Sequence, residues 1–301
     1  MKKLIAIVGP TASGKTQLAI HLAKVLKTEI INCDSRQIYK DFNIATAKPS
    51  KEQLLEVPHH LVDFLSPFQS FNVKDFEILA NKIIENIPGV VILAGGTGLY
   101  FQSIEKNLDN IPSIPNEIRE SIQKNYEKFG KEYLLEQLKQ KDPAVLTRID
   151  IQNPRRLSRA LEVFLTTGKS ILEFWGNNQT PKKYDIFWLG IDLGWEQLEQ
   201  NIQQRIEQMF LCGLVEETKF LVKKYPLSLK SFEAIGYLEV VDYLKGKLTL
   251  EEVKKIMFTK TRQYAKRQLT WFRKNQNICW INKLDWAEIE KRVEQFLSKN
   301  P

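Results

Sequence analysis

Residues 9–16 read Gly9-Pro10-Thr11-Ala12-Ser13-Gly14-Lys15-Thr16, and no other stretch constrains the fold as strongly. They satisfy G-x-x-x-x-G-K-[ST] in full. An apolar run over 3–8 precedes them with the composition of a buried strand, and residues 15–26 follow with helical spacing. That strand–loop–helix order is the context a phosphate-binding loop needs. Glycines let backbone N–H groups converge on phosphate oxygens, and the helix N-terminus adds favourable partial charge. In such a loop Lys15 reaches the outer phosphate and the Thr16 hydroxyl ligates Mg²⁺. Which phosphate compound is held does not follow from the motif.

The rest of the N-terminal third alternates short β-rich runs with helical stretches, the pattern of a parallel sheet. Strands are expected over 29–33 and 90–94, the latter ended by Gly95-Gly96, with a helix over 73–87. Two more strands are expected over 186–191 and 278–282. Between them lies a block without β-rich runs, punctuated by Gly130, Asp142-Pro143, Asn153-Pro154 and Gly168. Asn153 reads as an N-cap, Pro154 as the first helical residue and Gly168 as a C-cap. The expected architecture is therefore α/β. It has a P-loop NTPase-like parallel sheet core begun by 1–111, an inserted all-helical subdomain over 112–183, and a largely helical completion over 184–301.

A kinase or nucleotidase is the commonest owner of such a loop. Against it, the strand over 90–94 runs into Gly95-Gly96-Thr97, with no carboxylate to support a metal. The second strand does end in one, Asp34. A carboxylate there lies at the C-terminal edge of the sheet, where open α/β folds bind ligands. It suits either a metal shell or a base acting on a second substrate.

Lys and Arg exceed Asp and Glu by 44 to 36, a net charge of +8, so the location of the charge matters more than its sum. Residues 254–274 hold eight basic side chains and no acidic one. On a helix, Lys255, Arg262, Lys266 and Arg273 fall within about 40° of one another, opposite Val253, Met257, Tyr264 and Trp271. One face can thus pack on the protein while the other meets phosphates. A second cluster, Arg155-Arg156-Leu157-Ser158-Arg159, opens a helix in the inserted block, with Arg155 and Arg159 on one face. The two clusters suggest a long polyanionic partner.

These motifs together resemble the tRNA dimethylallyltransferase (IPP transferase) family. The segments that carry the likeness are 9–16, Asp34-Ser35-Arg36-Gln37-Ile38-Tyr39, Ile44-Ala45-Thr46-Ala47-Lys48-Pro49, Gly95-Gly96-Thr97-Gly98-Leu99-Tyr100, 154–163, Ile235-Gly236-Tyr237 and 261–273, in family order. The resemblance implies transfer of a dimethylallyl group from dimethylallyl diphosphate to the N6 amine of an adenine beside the anticodon. It implies that Gly9 to Thr16 and Arg205 hold the diphosphate with Mg²⁺ on Thr16, that Asp34 is the base, and that Thr97 lines the reaction channel. It also implies tRNA contacts from Asp34, Ser35, Arg36, Gln37, Arg119, Arg155, Arg156, Leu157, Ser158, Arg159, Arg262, Lys266, Arg267 and Arg273. Glu233 and Leu238 depart from it, since some members carry arginines there, and Ala45 replaces a common glycine. No C-terminal Cys/His zinc module of the longer eukaryotic relatives is present.

No apolar run approaches the roughly 18–20 residues needed to span a bilayer. The N-terminus lacks a signal peptide's cleavage site, so a cytoplasmic protein is expected; a monomer is expected as well. Cys33, Cys212 and Cys279 show no metal spacing and are expected to be buried, reduced thiols. His59-His60 are expected to be structural, and Trp175, Trp188 and Trp271 to serve core or interface.

Overall fold

A computed structural model describes residues 1–109, 111–176 and 183–299. Its elements, in order, are β1 (Lys2–Val8), α1 (Lys15–Leu26), β2 (Ile30–Asn32), α2 (Lys51–Glu56), β3 (His59–His60), α3 (Val73–Asn86), β4 (Val91–Ala94), α4 (Gly98–Lys106), α5 (Asn116–Lys141) and α6 (Pro154–Thr167). They continue with β5 (Tyr184–Ile191), α7 (Trp195–Leu211), α8 (Leu214–Lys224), α9 (Tyr237–Leu244), α10 (Leu250–Phe272), β6 (Ile278–Ile281) and α11 (Trp286–Ser298). The chain divides into one compact unit of Met1–Lys106 with Lys182–Pro301 and a second of Asn107–Pro181. The C-terminal boundary of the second unit falls outside the described residues.

In the first unit a six-stranded parallel sheet runs β3-β2-β4-β1-β5-β6. Helices cover both of its faces, which is why β1 is apolar without a break from Leu4 to Val8. Leu4, Ala6 and Val8 turn to one side, against Phe76 of α3, Phe101 of α4 and Trp188. Ile5 and Ile7 turn to the other, against Leu18 and Leu22 of α1 and Ile289 and Val293 of α11. A further core joins Phe42 to α7, α8, α9 and α10 through Ile202, Leu214, Tyr237 and Met257.

Five strands lie where the sequence places them, each within two residues at either end. The sixth, β3, is unanticipated. It consists of His59 and His60 alone, paired to Ile30 and Ile31 at the sheet edge. Two residues carry too little alternation to be read as a strand. His60 pairs with Glu29 at 2.5 Å, so the two histidines hold the edge of the sheet.

In the second unit α5 breaks at Gly130 (φ 71°, ψ −163°). The Asn153 side chain caps α6 by accepting from Arg155 N–H at 3.1 Å, Pro154 opens the helix, and Gly168 closes it at φ 69°. Leu134, Leu138, Val145, Leu157 and Leu161 form this unit's own core.

Candidate active site

The phosphate loop leaves β1 at the middle of the sheet. Gly9 holds φ 145°, and a Cβ there would lie 2.7 Å from the Ile191 carbonyl oxygen, so only glycine lets the chain turn beside β5. β4 separates β1 from β2, with Ala94 in register with Ile7 and with Asn32. The loop after β1, the Gly95–Thr97 turn after β4 and Asp34 after β2 therefore emerge side by side at one edge. Close approach fixes that edge. The Cys33 N–H donates to the Ala94 carbonyl at 2.7 Å, and the Thr97 N–H donates to the Cys33 carbonyl at 2.9 Å. A Cβ on Gly95 would come within 2.3 Å of the Cys33 carbonyl carbon and oxygen.

A cavity of about 370 Å³ opens there. Thr11 to Thr16, Asp34, Gln37 and Arg205 are among the residues that line it. Gly9 and Pro10 shape the loop from outside the lining, Pro10 by accepting the Lys15 ammonium on its carbonyl at 2.5 Å. Thr97 also lies outside the lining. Its hydroxyl accepts from the Ser35 N–H at 3.0 Å and donates to the Ser35 hydroxyl at 3.3 Å, which ties the β4 turn to the segment carrying Asp34.

The electrostatics suit an anion. Burial pulls Lys15 from 10.5 down to about 7, and the Arg205 guanidinium adds to the fall, while Asp34 opposes it. Burial also lowers Arg205, with Asp34 and Tyr264 opposing. Two cations confined together with a single carboxylate leave the cavity short of negative charge. The Ser13 hydroxyl is buried in the lining and has no hydrogen-bond partner among the described residues. An oxyanion supplies the partner it lacks.

The lining residues not expected from the sequence include His59, Asn201 and Gln268, and the last two bond the phosphate loop. Asn201, one turn before Arg205 on α7, donates to the Ala12 carbonyl at 3.0 Å and holds the loop where Ala12 adopts φ 63°. Gln268 of α10 bonds both the phosphate loop and the β4 turn. Its sequence signal is a polar residue among Ala265, Leu269 and Phe272, on the buried stripe of the helix.

The basic helix needs correction. The acid-free stretch 254–274 is supplied with acids by its surroundings: Lys254 pairs with Glu207 and with Glu251 in the first turn of α10, Lys260 with Glu239, Arg262 with Glu199 at 2.5 Å and Arg273 with Asp192 at 2.7 Å. Lys255, Lys266, Arg267 and Lys274 are exposed without an ion pair among the described residues. The buried stripe is also shifted from the one expected. Val253 and Met257 are buried, but Trp271 is 41% exposed with its indole edge against Gly98.

Other expected contacts are already partly engaged. Arg36 donates to the Lys230 carbonyl at 2.5 Å and pairs with Glu233 at 2.7 Å, so the acidic departure at 233 has a local partner. The Gln37 amide donates to the Thr46 and Ala47 carbonyls at 3.1 and 3.0 Å and supports that loop. In the second unit Arg119, Arg155 and Arg156 are exposed, Ser158 is half-buried, and Arg159 pairs with Glu162 at 3.3 Å. Leu157 is fully buried in the core of that unit, so its side chain cannot meet a partner. Among the thiols Cys33 is buried and Cys279 half-buried, but Cys212 is exposed, contrary to expectation, because it follows α7 at a turn. Trp188 is core, whereas Trp175 is 41% exposed.

Comparison with known proteins places the chain among relatives of one kind. A family model described as IPP transferase matches residues 37–275, and one described as isopentenyl transferase matches 2–64. The chain is 41% identical over 302 residues to a tRNA dimethylallyltransferase of Alkaliphilus oremlandii, covering 98% of this chain and 96% of the relative. It is 43% identical to one of Gloeothece citriformis, covering 93% and 91%. Among solved structures, a full-length tRNA isopentenylpyrophosphate transferase of Bacillus halodurans aligns with TM-score 0.72 and 36% identity over 99% of this chain and 97% of that one. A eukaryotic dimethylallyltransferase acting on tRNA aligns with TM-score 0.82 and 27% identity, covering 98% and 77%. A motif order that runs from the phosphate loop to the end of α10, on this sheet and at this extent of identity, leaves one assignment: the chain belongs to the IPP transferase family.

Proposed function

We propose that this protein transfers a dimethylallyl group from dimethylallyl diphosphate to the N6 amine of an adenine beside the anticodon of tRNA. One observation carries this reading: the cavity sets the cations Lys15 and Arg205 around a phosphate loop and gives them a single carboxylate, Asp34. The N6 nitrogen attacks the allylic C1, the N6–C1 bond forms, and the C1–O bond breaks as diphosphate departs. Asp34 accepts the N6 proton. Lys15, Arg205 and the α1 N-terminus meet the charge that the leaving group gains, which is where fixed cations lower a barrier.

Mg²⁺ fits this donor set. Among the described residues no group of three or more His, Cys, Asp or Glu could hold a metal. Mg²⁺ is usually held by one or two protein oxygens plus substrate phosphates. The Thr16 hydroxyl would hold it together with oxygens of the substrate phosphates, and the ion would neutralise charge on the departing diphosphate.

The acceptor must leave its stack, at a cost of a few kcal/mol that is smaller in a loop. Each unit offers exposed cations for tRNA phosphates: Lys255, Lys266, Arg267 and Lys274 in the first, Arg119, Arg155 and Arg156 in the second. No described helix is long and apolar enough to cross a membrane.

The test is product analysis by mass. The protein is incubated with dimethylallyl diphosphate and an anticodon stem-loop, AMP or ATP. A five-carbon adduct on the stem-loop is expected. Transfer to AMP alone would convert the reading to a free-nucleotide transferase, and ATP cleavage without prenyl transfer would convert it to a kinase. Asp34→Ala is expected to bind stem-loop normally and transfer nothing measurable; undiminished turnover removes Asp34 as base.

A further inference from the structure

We infer that Gln268 is a positioning residue for the diphosphate site, its buried amide clamping the phosphate loop to the turn after β4. The inference rests on the proposed function and extends it to a residue that acts through the two loops it joins.

The side chain is 5% exposed and both halves of its amide are used. Its Oε1 accepts from the Thr11 N–H at 2.8 Å, and its Nε2 donates to the Gly96 carbonyl at 3.0 Å. The two partners are backbone groups of fixed polarity, an N–H and a carbonyl, so only one orientation of the amide satisfies both. The approach is tight: a Cβ on Gly96 would lie 2.1 Å from Nε2. A shorter or bulkier side chain cannot make both bonds, and an apolar one leaves two buried backbone groups unpaired.

An ordinary core amide would tie together parts of a scaffold. Gln268 instead joins two loops that both wall the cavity, and it lines that cavity itself. It also takes one loop N–H, that of Thr11, out of the set available to phosphate. The cradle is thereby confined to the later N–H groups of the loop and to Lys15. Without Oε1, the Thr11 N–H is free and the loop loses its fixed distance from Gly96.

The experiment uses full-length Gln268→Leu and Gln268→Glu, each compared with the unmodified protein at every pH. It measures KM and kcat for dimethylallyl diphosphate with a stem-loop acceptor, and affinity for inorganic diphosphate without acceptor. Loss of two buried hydrogen bonds predicts that Gln268→Leu raises KM and weakens diphosphate binding by about tenfold or more, by the same factor from pH 6 to 8.5. In Gln268→Glu the ionised carboxylate cannot donate to the Gly96 carbonyl, whereas the protonated acid has the shape of glutamine and can. Burial raises such a carboxyl toward neutral pH while Lys15 and Arg205 in the same cavity oppose the rise, so the Gln268→Glu penalty should be largest at pH 8.5 and shrink as pH falls through 6. Should Gln268→Leu fail to fold, the pH-dependent recovery of Gln268→Glu stands as the readout. A Gln268→Leu protein with lowered Tm but unchanged KM and diphosphate affinity overturns the inference, as does a Gln268→Glu penalty independent of pH. If the unmodified protein binds diphosphate but transfers no prenyl group, the functional reading fails instead, and the binding arm still tests the clamp.

Discussion

Binding of the donor should take up a proton, and Lys15 is the group that takes it. In the free cavity burial and Arg205 hold Lys15 at about 7. The gap from 10.5 corresponds to about 5 kcal/mol against the charged form, since burial and Arg205 outweigh the opposing charge of Asp34. A diphosphate supplies that counter-anion and returns the lysine toward its ordinary value. At pH 8.5 roughly one free site in thirty carries a charged Lys15, and nearly every occupied site does, so binding takes up about one proton. The sign follows from the depressed value in the free protein. Affinity is full below about pH 7 and falls close to tenfold per pH unit above it, about a hundredfold between pH 7.5 and 9.5. The donor itself contributes little there, because its last ionisation lies near pKa about 6. Titration calorimetry with dimethylallyl diphosphate and a metal chelator, at pH 8.5 in two buffers of different ionisation heat, reads the proton directly. Lys15→Met should bind weakly and without uptake. Equal heats in both buffers, together with an affinity flat from pH 7.5 to 9.5, would refute the reasoning.

Other perturbations follow from the same geometry. The same depressed Lys15 predicts that the ligand-free protein loses stability as pH falls from about 10.5 toward 7, because the unfolded chain binds the extra proton; thermal unfolding across that range checks it. Lys266→Ala with Arg267→Ala should weaken tRNA binding and reduce the slope of log K against log salt by about 0.7–0.9 for each phosphate left unneutralised. Arg262→Ala with Arg273→Ala should change that slope less, because Glu199 and Asp192 already engage those side chains; equal slopes for the two pairs would count against the distinction. Gly95→Ala should destabilise the protein by about 1–3 kcal/mol or more in denaturant titration, since the Cys33 backbone leaves no room for a methyl group. Leu157→Ala should cost about 2–5 kcal/mol through a cavity in the second unit's core, and a purely RNA-binding defect at unchanged stability would contradict its burial.

Short-range order made much of this molecule legible. The phosphate loop announces itself because its glycines, Lys15 and Thr16 act within one turn of chain. The buried strands read as apolar runs because helices cover both faces of a parallel sheet. The α6 caps at Asn153 and Gly168 are visible because a cap is a contact between near neighbours in sequence. Asp34 can be singled out as a carboxylate ending a strand, though its neighbours cannot. Family resemblance supplies Arg205 and Thr97, which no local pattern marks.

What the tertiary structure decided concerns partners distant in sequence. Besides Glu251 in its own first turn, the acids that pair with α10 and Arg273 come from α7, α9 and the turn after β5, so a stretch that reads as uniformly basic over 254–274 carries fewer free cations than its composition implies. Lys15 is depressed because the fold buries it beside Arg205, 190 positions later in the chain. Gln268 reaches back across 257 residues to Thr11. Sequence periodicity reports which face of an element is apolar. Charge state, pairing and clamping depend on which groups the fold brings within hydrogen-bond distance, and that proximity exists only once the sheet has closed and α10 has docked against it.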